Sequence, residues 1–314
     1  MALNNRVGSV RGAQEKIKEE PPVALRNPPC TVTSVFLANI AGYWRNVSVL
    51  WCKNVMNTSF NIMVEGCEGN LERHQTTCKV ELKPWHFWSK KGYKSFTIED
   101  IHHQIDVYWD LRSAKYSNNS PEPCSDYYIA LVSDEEVVLL LGDYNKKAYK
   151  RTKKRPALVE AIPTLKKEVV YSTKSFATRA RFRQGKDQEY DIVVETTVTG
   201  LKDPEMWISI DGIVLIHVKN LQWKFRGNEM VVVNRIPIQV LWDVHGWLFS
   251  SAGNGYGLFI FKPEAPEVDT DKEGSNHRML NSNSSSAGSL FYSSISTQSK
   301  MADFCLLLQA WKVD

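Results

Sequence analysis

The run KKAYKRTKKR, residues 146–155, holds seven basic residues in ten: Lys146, Lys147, Lys150, Arg151, Lys153, Lys154 and Arg155. Charge of this density suits contact with nucleic-acid phosphates, nuclear import, or attraction to an anionic lipid surface, where each cation contributes about 1 kcal/mol. The plain structural alternative is a solvated helix between two folded units, since charge runs are commonly solvated. Thr152 lies inside the run, and a phosphate there would subtract from its charge. A second resource is aromatic. Among the ten tryptophans, Trp85, Trp88, Trp223 and Trp247 lie near basic residues or turns, a setting that suits contact with sugars, lipids or peptides. Packing in a core or at the end of a sandwich is the competing role for all four.

Other chemistries find little footing. Cys67, His74, Cys78 and His86 have no paired-ligand spacing, so no metal site is expected. His102 and His103 stand in a turn before a strand and read as a solvent-exposed pair. There is no Gly-x-Ser-x-Gly elbow, kinase set or Walker loop, and the glycine-rich GNGYG at 253–257 precedes a strand rather than a helix. No catalytic residue and no cofactor is assigned. The expectation is a non-enzymatic interaction or ligand-binding protein; an anionic lipid or nucleic-acid binder working through the basic run is the alternative, and an unrecognised hydrolase the third reading.

The elements that must position these residues announce themselves in a repeated phrase. IDVYWDL at 105–111 and IQVLWDV at 238–244 alternate apolar and polar with period two, the mark of a strand with one buried face. Trp109 and Trp242 then point into a core, with Asp110 and Asp243 bonding the turn that follows. The two phrases lie much farther apart than the roughly 40–45 residues of a propeller blade. Pro237 places the start of the second phrase at an edge or a bulge.

Further landmarks recur in the same order. VELKPWHFWSKKG (80–92) matches VKNLQWKFRG (218–227), FNIMVE (60–65) matches YDIVVE (190–195), and YIALV (128–132) matches GLFIF (257–261). They predict an internal duplication of domain-sized units. Strands are also expected at 31–38, 46–53, 78–83, 176–182, 206–210 and 214–218, with a hairpin turn at Asp211-Gly212. One helix is predicted over 144–155, stopped by Pro156. The terminal DFCLLLQAW (303–311) reads as the closing strand of the second unit, reached across a polar, Ser-rich stretch.

The fold class is therefore all-β: two related antiparallel sandwich- or barrel-like halves joined by a short basic helix. The divisions are a disordered leader at 1–29, a first β repeat at 30–142, a basic helical linker at 143–167, a second repeat at 168–262 plus 303–314, and a disordered insertion at 263–302. The 314 residues, 43% hydrophobic and 24% charged, suit a globular protein with a large core. A net charge of +4 is too mild for a dedicated nucleic-acid binder, so any such role must be local. No apolar run approaches the ~18 residues of a membrane span. With no secretory signal at the start, reduced cysteines and a cytoplasmic or nuclear location are expected.

The phrases LWCKN (50–54), VYWDLRSAKY (107–116), SPEPCSDYYIALV (120–132), VVLLLGD (137–143), KRPALVEA (154–161), LQWKFRGN (221–228), VLWDVHGWLF (240–249) and FCLLLQAWK (304–312) together resemble the plant domain-of-unknown-function family numbered 868. The resemblance spans residue 30 to the end. It implies a plant source and a soluble β-rich protein, and brings no activity, ligand or catalytic residue with it.

Overall fold

The computed structural model describes residues 29–54, 57–66, 75–82, 87–117, 120–182, 188–197, 203–250, 255–264 and 304–312. Period-two sequence becomes strand almost throughout. β1 (Cys30–Ile40), β2 (Tyr43–Lys53), β3 (Thr58–Glu65) and β4 (Gln75–Leu82) form an antiparallel meander. A 3-10 turn at Phe87–Lys90 leads into β5 (Lys91–Ile98) and β6 (His103–Asp110). The small hairpin of β7 (Lys115–Tyr116) and β8 (Pro123–Ser125) follows, then β9 (Tyr128–Ser133) and β10 (Glu136–Gly142). Next come α1 (Asn145–Thr152), β11 (Arg155–Pro156) and β12 (Ile162–Tyr171). A second meander runs through β13 (Ser175–Ala180), β14 (Tyr190–Thr197), β15 (Glu205–Ile210) and β16 (Ile213–Val218). It is followed by β17 (Arg226–Val233), β18 (Ile236–Asp243), the one-turn helix α2 (His245–Leu248), β19 (Tyr256–Pro263) and β20 (Cys305–Trp311).

These strands build one long sheet, two shorter ones and the two-stranded β7-β8 hairpin. The long sheet has nine strands in the order β17-β18-β19-β20-β12-β1-β2-β3-β4; the shorter ones are β11-β10-β9-β6-β5 and β13-β14-β15-β16. Register shows how the layers stack. Val32 of β1 is opposite Glu168 of β12, and Glu168 is opposite Leu308 of β20, so all three point to one face of the long sheet. Val32 belongs to a core shared with β5, β6 and β9, whereas Leu308 belongs to a core shared with β13–β16. Both short sheets therefore lie side by side on the same face of the long one. The two cores are filled by large side chains, Trp51, Phe60 and Ile62 in one, Trp247, Phe259 and Phe261 in the other, all fully buried. Helix α1 covers the outer face of the five-stranded sheet, which buries β9 on both sides and accounts for its unbroken apolar run.

The seam between the cores is polar. Lys166 Nζ of β12 lies 2.9 Å from Glu168 Oε1 and 3.2 Å from Glu122 Oε2, and donates to the Arg179 carbonyl at 2.9 Å. Thr178 donates to Glu168 at 2.6 Å. Burial works against the charge on Lys166, but the two carboxylates outweigh it and hold the ammonium above the usual lysine range. The cluster ties strand β12, the β7–β8 connection and strand β13 together.

The all-β reading holds, with two helices among the described residues, but several boundaries change. The segment 143–167 is not a helical linker. The helix stops at Thr152 because Lys153 turns left-handed (φ 56°) and closes it with an N–H bond to the Tyr149 carbonyl. By Ile162 the chain is already in β12, the central joint of the long sheet. Asp211 (φ 50°) and Gly212 (φ 77°) make the expected hairpin turn. The two Trp-Asp phrases fall on β6 and β18, and YIALV and GLFIF on β9 and β19, but FNIMVE lies on the third strand of its meander and YDIVVE on the second, so the expected duplication is not shown. Strand β18 is paired on both sides, with Pro237 near its start, and is not an edge. The leader 1–28 and residues 265–303 lie outside the described residues.

Candidate functional site

The basic run is presented as a rigid surface. Ala148 and Thr152 are buried against β6 and β9, and the opposite side of α1 carries Lys146, Lys147, Lys150 and Arg151, all exposed, with exposed Lys153 as the cap. Lys147 Nζ sits 3.4 Å from the centre of the Tyr144 ring. Lys154 and Arg155 are spent locally, in ion pairs with Glu135 (2.6 Å) and Glu136 (2.7 Å). Five of the seven predicted cations thus have no ion-pair partner among the described residues. Thr152 does not fit the regulatory reading: it is 5% exposed, and its hydroxyl accepts the Lys154 N–H at the helix end.

The two Trp-Asp phrases build matching corners. Asp110 faces Lys91 across the β5–β6 pair, and Asp243 faces Arg226 across β17–β18. Each Trp lies over a glycine of the neighbouring strand, Trp109 on Gly92 and Trp242 on Gly227, and donates its indole N–H to a backbone carbonyl, Ser89 or Lys224. Each Asp accepts a backbone N–H two residues on, from Arg112 or His245, as the turn reading requires. Burial opposes ionisation of Asp110, but the bidentate Arg112 and nearby Lys91 overcome it and hold its carboxyl below the usual range.

The predicted aromatic contacts divide. Trp223 is 83% exposed, whereas Trp247 is fully buried, its indole donating to the Ser172 carbonyl at 2.8 Å. It packs between Phe176 and Phe259 and belongs to the core. Trp85 lies outside the described residues, as does the side chain of Trp88. Of the four metal-ligand candidates only Cys78 is described, buried in the first core. Among the described residues no three His, Cys, Asp or Glu side chains come together as a metal site. His103 is not the exposed residue expected: its ring reaches across to Ser133 Oγ at 2.8 Å.

A feature that sequence reading missed lies on the open face of the long sheet. Alternation turns Tyr256 and Leu258 of β19, Gln309 and Trp311 of β20, and Val169 and Tyr171 of β12 away from the cores. Register sets Tyr256, Trp311 and Tyr171 side by side on three neighbouring strands. The Tyr256 and Trp311 rings are 5.0 Å apart. Beside them opens a cleft of about 360 Å³ lined by Phe225, Arg226, Asp243, His245, Tyr256 and Leu258. Arg226 donates twice to Asp243 Oδ2, at 2.9 and 2.6 Å. No short spacing could have revealed this row, whose members stand at 171, 256 and 311.

Comparison with known families decides the affiliation. A family model described as a plant protein of unknown function (DUF868) matches residues 27–312, nearly the whole chain. The chain belongs to this family. Neither a curated protein nor a solved structure matched it. The DUF868 match takes in both cores, the seam, α1 and the aromatic row, so every surface described above lies within the family's extent. No helix among its described residues is long and apolar enough to cross a membrane.

Proposed function

We propose that this DUF868 protein is a binding protein rather than a catalyst, and that its recognition surface is the exposed basic face of α1, directed at a phosphate-bearing partner. One observation carries the reading: four cations on the exposed side of α1 and the capping Lys153 have no ion-pair partner among the described residues, while the other side of the helix is anchored in the fold. The non-catalytic part is supported by how the reactive side chains are used. Asp110, for instance, commits both carboxylate oxygens to Arg112 and one of them to the turn backbone as well. Anionic lipid and nucleic acid share the required chemistry, and a cytoplasmic or nuclear location suits either.

The test replaces Lys146, Lys147, Lys150, Arg151 and Lys153 with Gln. Because exposed charges contribute little to stability, the melting temperature should stay near that of the wild type. Binding should be lost to phosphatidylserine vesicles if the partner is lipid, where five cations contribute roughly 5 kcal/mol. If the partner is nucleic acid, binding to duplex RNA or DNA should be lost, and the wild-type affinity should fall steeply with salt. A wild type that binds neither, or a variant that binds as well as the wild type, rejects the proposal and leaves a solvated helix.

A further inference from the structure

We infer that the open face of the nine-stranded sheet carries a saccharide-binding site, with Tyr256, Trp311 and Tyr171 as its floor and Arg226, Asp243 and His245 as its polar rim. This surface is distinct from the basic helix, and the inference does not depend on the function proposed for α1.

The floor comes first. The Tyr256 and Trp311 rings, 5.0 Å apart, form an apolar platform, and register places Tyr171 beside Trp311 on the next strand, about 4.8 Å away. Tyr256 is 41% exposed, with Trp311 and Tyr171 half-buried beside it, so the platform is held by its neighbours and still accessible. A sugar ring offers an apolar C–H face to such a platform and a rim of hydroxyls around it.

The rim matches those hydroxyls. Asp243 is an acceptor-only group and the Arg226 fork donor-only, and their pairing leaves the site without net charge. Arg226 remains 72% exposed, and its two bonds to Asp243 use only part of its donor set. His245, wedged at 5.0 Å against Phe225, adds a ring that both donates and accepts when neutral. Mixed donors and acceptors with no excess charge suit a neutral, hydroxyl-rich ligand better than an anion. The cleft of about 360 Å³ is at the small end of the range of roughly 300–1,000 Å³ for small-molecule sites, which fits a short saccharide. An extended peptide is a poorer match, because peptides add to a sheet through its edge, and β18, β19, β20 and β12 are each paired on both sides.

Trp311 supplies the readout. Intrinsic fluorescence of the full chain should respond to at least one of cello-, xylo-, manno- or chitohexaose with a Kd of about 1 mM or tighter. Tyr256→Ala should weaken that binding about tenfold by removing part of the platform, and Arg226→Gln should weaken it independently. Trp223→Ala, outside the cleft lining, should leave the affinity unchanged. Should Tyr256→Ala fail to fold by circular dichroism, Arg226→Gln decides. No response to any of the four hexaoses at about 10 mM overturns the inference. So does a response that neither variant weakens, or one elicited by phosphatidylserine vesicles or an acidic peptide in place of the sugars.

Discussion

A methyl group added at Gly92 would lie 2.4 Å from Cζ2 of Trp109, and one at Gly227 2.0 Å from Cζ2 of Trp242. The indoles cannot easily yield, since each is 5–7% exposed and hydrogen-bonded through its N–H. Gly92→Ala and Gly227→Ala should each cost about 2–3 kcal/mol by overpacking. Shrinking the ring should relieve the clash, so Gly227→Ala combined with Trp242→Phe should be less destabilising than the sum of the two single changes. Urea melts of the four proteins measure this, and strict additivity would refute the contact. At this scale the sequence was partly legible. The buried Trp and turn-bonding Asp follow from alternation, because both are local properties. The glycines were visible as landmarks, but their reason was hidden, because the contact crosses between strands. His103 misled for the same cause: Ser133, its partner, is on another strand.

Strand β20 shows what an element's pattern can and cannot convey. Its apolar run was legible as a strand, and Phe304, Leu306, Leu308 and Ala310 are all buried. Of its two neighbours, β19, the other arm of an interrupted hairpin, was legible, whereas β12, with which it pairs parallel, was not. Deleting residues 303–314 should therefore split the long sheet. The loss of Phe304, Leu306 and Leu308 alone, at roughly 1.5–3 kcal/mol each, rivals a typical total stability of about 5–15 kcal/mol. The truncated chain should be insoluble on expression; a soluble, cooperatively melting product would contradict this account. Replacing 267–297 with a short Gly/Ser linker should by contrast change the melting temperature little, since closure entropy varies slowly with loop length. Strand β12 escaped prediction for a physical reason. Its Lys166 and Glu168 point inward, to each other, where an alternation reading expects apolar residues.

The molecule as a whole is unified by that same strand, and the seam around it should leave a signature in alkali. A lysine whose ammonium is held above its ordinary range contributes stability that is fully present below the unfolded pKa. That contribution is lost as pH rises through the folded one. Lys166 should thus contribute undiminished at neutral pH and begin to fail only above about pH 10.4. Lys166→Met leaves Glu122 and Glu168 facing each other, and should cost about 3–5 kcal/mol at pH 7, as breaking a buried pair does. The gap between variant and wild type should narrow as pH climbs past about 10.4. Denaturant melts from neutral to alkaline pH test this, and a constant gap would exclude the pair as its source. Sequence periodicity located two strand-rich runs and the charged helix between them. It could not locate a sheet that both runs share, because that depends on pairings between residues well over a hundred positions apart.

The place of β20 in the long sheet has a consequence for biosynthesis. It is the last of the described strands to leave the ribosome, yet its slot is in the middle of the sheet, between two strands made earlier. Until it arrives, β19 and β12 each present a bare row of backbone donors and acceptors, the kind of edge that captures foreign strands. At about 5–20 residues per second, that exposure lasts for seconds in every round of translation. The nascent chain should thus depend on chaperones late in synthesis rather than early, and ribosome-bound chains stalled just before residue 304 should be the ones chaperones retain.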